Sequence, residues 1–103
     1  MFKICVYVPE KSVETVKQAL FDAGAGRIGN YDSCCWQTEG TGQFRPLAGS
    51  NPAIGSQGEV EFVREVKVEL VCDNELVAGA IQALRDSHPY EEPAFDVWQL
   101  ADV

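Results

Sequence analysis

Glu59-Val60-Glu61-Phe62-Val63-Arg64-Glu65-Val66-Lys67-Val68-Glu69-Leu70 is the stretch that decides the fold of this 103-residue chain. Val60, Phe62, Val66, Val68 and Leu70 fall on one side of a two-residue period, and Glu59, Glu61, Lys67 and Glu69 on the other. That alternation predicts a long strand with one face buried. Arg64 interrupts the apolar series and is expected to mark a bulge. Glu59, Glu61, Glu65 and Glu69 read as a solvated face, relieved by Lys67 and Arg64. Downstream, the turn Asp73-Asn74 is expected to cap a helix whose Leu76, Val77, Ala80, Ile81 and Leu84 form an apolar stripe. Pro89 cannot continue that helix and pushes His88 toward extended geometry. Phe95, Val97 and Gln99 against Asp96, Trp98 and Leu100 then make a last strand. Apolar residues on both of its faces predict a central place in the sheet.

Upstream, Arg45 to Gly55 is longer than a hairpin requires, and its Leu47 and Ile54 suit an ordered loop packed on something, a neighbouring subunit included. Cys34 to Phe44 reads as a strand with Trp36, Thr38 and Phe44 on one face. Three glycines lie between Gly24 and Asp32 and five between Gly40 and Gly58, a density that allows positive φ or close approach to a ligand. Gly24-x-Gly26-x-x-Gly29 matches the dinucleotide fingerprint literally, but a helix precedes it where that fingerprint needs a strand. The helix runs from about Ser12, its expected N-cap, to Ala23, with Gly24 as its left-handed C-cap. Val13, Val16, Leu20 and Ala23 give it one apolar face. Phe2, Ile4, Val6 and Val8 alternate before it as the first strand, ended by Pro9.

The order is β-α-β-β-α-β, an α+β ferredoxin-like plan in which two helices cover one face of a four-stranded antiparallel sheet. Residues 1–103 make one domain. The second sheet face has no cover inside the chain, and Cys5, Tyr7, Trp98 and Leu100 are outward apolar candidates for it. A homo-oligomer packed through that face is the expectation.

Sixteen acidic side chains against eight basic ones leave a net charge of -8, which argues against nucleic acid or an anionic membrane as partner. No apolar run is long enough to span a bilayer and Met1-Phe2-Lys3-Ile4-Cys5 lacks a signal-peptide layout, so a cytoplasmic address is expected. Cys5, Cys34, Cys35 and Cys72 form no Cys-x-x-Cys pair; Cys5 and Cys72 read as small buried hydrophobes. Cys34 and Cys35, adjacent on a strand, would point to opposite faces and chelate poorly together.

Ser87-His88-Pro89-Tyr90-Glu91-Glu92-Pro93 holds the only histidine, two adjacent carboxylates and a phenol. Together with Asn30, Tyr31 and Arg45, the residues His88, Tyr90, Glu91 and Glu92 stand in glycine- and proline-shaped loops, where ligand sites are usually built. Those seven are the candidate ligand-binding residues, in a cleft between subunits. A second reading makes His88 a divalent-metal ligand with Glu91, Glu92 or a neighbouring chain's cysteine. A third makes it a general base or acid oriented by Glu91 or Glu92, although no nucleophile motif accompanies it. The plainer alternative is a satisfied histidine capping the C-terminus of the helix it follows, where a cation interacts well with the dipole. No motif identifies a cofactor, which stays unknown.

The stretches Ala23 to Cys34, Gly40 to Pro46 with Asn51-Pro52-Ala53-Ile54-Gly55, and His88 to Asp96 closely resemble the domain inserted in many bacterial Nif-three-like (YqfO-type) proteins. The resemblance spans essentially the whole chain. It implies a stand-alone version of that insert, with a PII- and CutA-like fold and a trimeric association. Full-length members resemble metal-dependent hydrolases whose paired metals sit in two flanking halves. This chain matches neither half and owns one histidine, so hydrolase activity is not carried over and no metal residue is assigned.

Overall fold

The computed structural model describes every residue from Met1 to Val103. Strand β1 spans Phe2–Pro9 and leads through a 3-10 turn at Glu10–Ser12 into helix α1, Val13–Asp22. Strands β2 (Trp36–Phe44) and β3 (Glu61–Cys72) follow, then helix α2 (Val77–Ser87) and strand β4 (Phe95–Gln99). The sheet has the order β2-β3-β1-β4 with every neighbouring pair antiparallel, as the strand and helix order predicts.

Register places the core. Ile4 faces Leu70, Val6 faces Val68 and Val8 faces Val66, so the even positions of β1 and β3 share one side of the pleat. Both helices lay their apolar stripes there: Val16 and Leu20 of α1 and Ala80 and Leu84 of α2 join those strand residues in one buried cluster. Full burial of a leucine or isoleucine in such a layer is worth roughly 1.5–3 kcal/mol, so these contacts hold the helices on this face.

Four local expectations are corrected. Ser12 stands before α1 but makes no side-chain cap bond, because the 3-10 turn carries the chain into the helix instead. Asp73-Asn74 does not cap α2: the position before the helix is Leu76, whose N–H donates to the Asp73 carbonyl, while the Asn74 side chain is turned to the Met1 nitrogen. Arg64 marks no bulge, since β3 pairs with β2 without interruption from Glu61 to Glu69 and Arg64 lies opposite Thr41. Its guanidinium reaches Glu10 at 3.1 Å, so the cation relieves that carboxylate and only Lys67, 3.9 Å from Glu69, relieves the β3 glutamates. Finally, β4 is an edge strand, and Asp96 to Gln99 are exposed. The C-terminal end of α1 does follow expectation. Gly24 adopts φ 97°, its N–H donates to the Phe21 carbonyl, and the Ala25 N–H donates to that of Leu20.

β1 ends at Pro9, opposite Glu65, while β2 and β3 continue paired to Phe44 and Glu61. They thus form a two-stranded arm on a molecule of 46 × 25 × 24 Å. No helix is long and apolar enough to cross a membrane.

Candidate functional site

The uncovered sheet face is set by the odd positions of β1 and β3 and the even positions of β2. Tyr7 faces Lys67, Glu65 lies between Pro9 and Gly40, and Phe44 faces Glu61, so all three share this side, Tyr7 and Glu65 at the base of the arm and Phe44 at its far end. Two loops fold over them. Residues 45–60 return along the arm, held by the Gly58 N–H to the Pro46 carbonyl at 2.7 Å, and residues 88–94 descend from α2. Between them lies a cleft of about 420 Å³. Phe44, Leu47, Pro52 and Ile54 give it apolar surface, and Arg45, Glu65, Glu91 and Glu92 give it charge.

A chain of hydrogen bonds fixes this corner. His88 is only 6% exposed and has the extended backbone expected before a proline, φ -76° and ψ 135°. Its ring lies between two backbone groups, with Nε2 2.7 Å from the Tyr7 carbonyl and Nδ1 3.1 Å from the Tyr90 nitrogen. A carbonyl can only accept and an amide can only donate, so these partners assign the neutral tautomer protonated at Nε2. Burial agrees: it lowers the His88 pKa, against a smaller upward pull from the Tyr7 carbonyl bond and the Glu65 charge. The Tyr90 hydroxyl donates to Glu65 Oε2 at 2.8 Å, and its ring meets Phe44 edge-on, with centroids 5.6 Å apart. Burial, followed by the Glu65 bond and charge, pushes the Tyr90 phenol well above its usual range. It therefore stays protonated and donates. Glu91 Oε1 accepts from the Asn51 N–H at 3.1 Å and ties the two loops together.

Gly42 makes room for this arrangement. A Cβ there would come within 2.0 Å of Glu65 Oε1, so any side chain would displace the carboxylate from its place above the strand.

Of the seven candidate residues, Arg45, Tyr90, Glu91 and Glu92 line the cleft. His88 stands behind it and holds Tyr90 in place. Asn30 and Tyr31 do not line it within one chain. They are exposed on the bend closed by the Ile28 and Tyr31 backbones, near Val71 at the opposite end of β3. The helix-capping alternative for His88 holds in its position, since His88 is the C-cap residue of α2, its N–H donates to the Leu84 carbonyl and both ring nitrogens have partners; only its charge is corrected, because the ring is neutral and turned to β1. The metal reading meets the same geometry: both ring nitrogens are occupied, and no three His, Cys, Asp or Glu side chains gather as a metal-holding group. The four cysteines are unpaired; burial raises the Cys5 and Cys72 thiols above their ordinary values, while Cys35 packs against the core and Cys34 does not.

Sequence reasoning missed Tyr7, Phe44, Glu65 and Gly42. Glu65 reads as one more solvated glutamate, and only the register shows that it sits under Tyr90 and beside a glycine. The signal that was available is the length of the 45–55 loop with its apolar Leu47 and Ile54.

Comparison with known proteins sharpens the picture. Over 102 residues the chain is 45% identical to a protein of Halalkalibacterium halodurans named GTP cyclohydrolase 1 type 2 homolog, covering 99% of this chain and 27% of that protein. The crystal structure of a Bacillus cereus protein related to NIF3 superposes with a TM-score of 0.83 at 42% identity, over 98% of this chain and 26% of that one.

The chain is related to one domain of the NIF3-related proteins.

It spans about a quarter of the length of these relatives. No protein-family model matches it. The fold of this NIF3-related domain is also that of CutA: the protein from Xylella fastidiosa aligns with a TM-score of 0.71 over 99% of this chain and 85% of that one, at 21% identity.

Proposed function

We propose that this NIF3-related domain is a small-molecule binding or regulatory module that works as a homo-oligomer, a trimer, with the Tyr90–Glu65 cleft as its binding surface. The observation that carries this reading is the cleft itself. Its size suits a small organic ligand, its walls combine apolar surface with a few placed polar groups, and a network of hydrogen bonds holds it open. The uncovered sheet face supports oligomerisation, since Trp36 and Trp98 stand on it 70% and 48% exposed. Asn30 and Tyr31, at the far end of β3, reach such a cleft only from another copy. Unpaired cysteines suit a reducing compartment such as the cytoplasm.

The name of the Halalkalibacterium relative refers to a cyclohydrolase homolog, but that protein is almost four times as long as the matched segment. We therefore propose binding for this chain, and GTP belongs among the ligands to test. Isothermal titration of the assembled protein against nucleotides, divalent metals and common metabolites is expected to give a saturable heat that Tyr90→Ala abolishes. If the whole panel bound neither wild type nor variant, the reading would fail.

A further inference from the structure

Taking the cleft as the binding surface, we infer that its ligand is a small apolar or aromatic organic cation, such as an amine, and is neither an anion nor a bare metal ion. The charge of the lining decides this. Glu65, Glu91 and Glu92 line the cleft with Arg45, and Tyr7 and Tyr90 complete its titratable groups. None of the three carboxylates takes part in any of the three ion pairs of the chain, and Arg45 takes part in none either. The lining therefore holds three carboxylates against one guanidinium, an excess of negative charge that no ion pair within the chain engages. A ligand bearing phosphates or carboxylates would add repulsion in a partly desolvated cleft, whereas an ammonium would find uncompensated acceptors.

Placement of the acceptors supports the same conclusion. Tyr90 fixes one oxygen of Glu65 and leaves Oε1 over Gly42 without a hydrogen-bond partner in the chain; Asn51 fixes one oxygen of Glu91 in the same way. Each carboxylate is held still by a protein donor and keeps a free oxygen for something else. These carboxylates do not gather as a metal-holding group, which favours an extended cation over a point charge. The remaining walls, Phe44 and Tyr90 edge to face with Leu47, Pro52 and Ile54, are apolar and suit the body of such a molecule.

The test uses three probes of nearly one shape: 2-phenylethylamine, 2-phenylethanol and 3-phenylpropionate. Each is titrated into the full chain at low salt while the backbone amides of Asn51, Glu91 and Phe44 are followed by NMR. The amine is expected to shift these amides and to bind at least about tenfold more tightly than the acid, in roughly the millimolar range usual for so few atoms. Glu65→Gln, which keeps an acceptor for Tyr90, and Glu92→Gln, which alters an exposed side chain, are each expected to weaken the amine several-fold and to leave the alcohol unchanged. Equal or tighter binding of the acid would overturn the inference while leaving the cleft as a binding surface. So would an amine preference that both substitutions left intact. Failure of all three probes to move the cleft amides would overturn the cleft reading as well.

Discussion

His88 acts through its tautomer. A neutral ring can donate to the Tyr7 carbonyl and accept from the Tyr90 amide together, but the imidazolium carries a second N–H, which would point at that amide. A histidine whose folded pKa is depressed contributes stability that is complete above its ordinary value of 6.5 and is lost as the pH falls through the folded value. Folding free energy from urea titration should thus decline below about pH 6.5. The gap between wild type and His88→Gln, about 1–3 kcal/mol at pH 8, should narrow toward pH 5. A gap that stays constant across that range would show that the ring is not the titrating group. Tyr90→Phe separates the next link. It removes a part-buried donor to a carboxylate and is expected to cost about 1 kcal/mol while leaving the His88 bonds and their pH dependence in place. The histidine is conspicuous in the sequence because it is unique and precedes a proline, yet nothing there shows that it faces two backbone groups 81 and 2 residues away.

The elements themselves were largely readable. Alternation in β1 and in the second half of β3, and the helical spacing of Val16 with Leu20 and of Ala80 with Leu84, record which side of each element is buried, and burial is what those patterns measure. What failed were features set by neighbours. Arg64 breaks the alternation because the helix layer has ended by that point in β3, so the face that is buried at Val66 opens to Glu10 and solvent. The two apolar faces of β4 reflect an uncovered sheet side that is itself apolar near Trp98, rather than strands on both flanks. The glycine-rich bend after α1 has a specific physical need at Gly26. It has φ 78°, donates to the Val71 carbonyl at 2.7 Å, and a Cβ would stand 2.8 Å from the Cys34 carbonyl oxygen. Gly26→Ala should therefore cost more than the roughly 1–2 kcal/mol of left-handed backbone alone. Gly29→Ala, at φ 58° with open space around it, should cost only that much. Equal urea midpoints for the two variants would contradict the close contact.

At the scale of the whole molecule, the chain leaves one side of its sheet without cover. Lys3, Glu65, Lys67, Glu69 and Asp96 alternate there with Cys5, Tyr7, Trp36 and Trp98, so the face mixes both signs of charge with large apolar side chains. Cys5 is 1% exposed even within a single chain, which shows that its neighbours already close over the middle of this face. The two tryptophans stand toward its borders, on the edge strands β2 and β4. That arrangement suits association in which each copy presents both borders to others, since a stable interface needs on the order of 800 Å² from each partner and aromatic anchors supply most of its energy. The proposal that the domain assembles as a trimer then has a direct consequence. Sedimentation equilibrium should give roughly three times the 11.3 kDa of one chain. Trp98→Glu, which replaces an aromatic anchor by a charge that Lys3 opposite it can pair only within its own chain, should shift the protein to monomer, and Trp36→Glu, which sets a carboxylate opposite Glu69, should do the same from the other border. Both substitutions lie on the side away from the buried cluster of Ile4, Val68, Leu20 and Leu84, so circular dichroism and the two-state character of unfolding should be retained. A wild type that sediments as a single chain at high micromolar concentration would remove the assembly. A trimer that survives both glutamates would move the interface to another face, and with it the means by which Asn30 and Tyr31 of one copy could meet the cleft of the next.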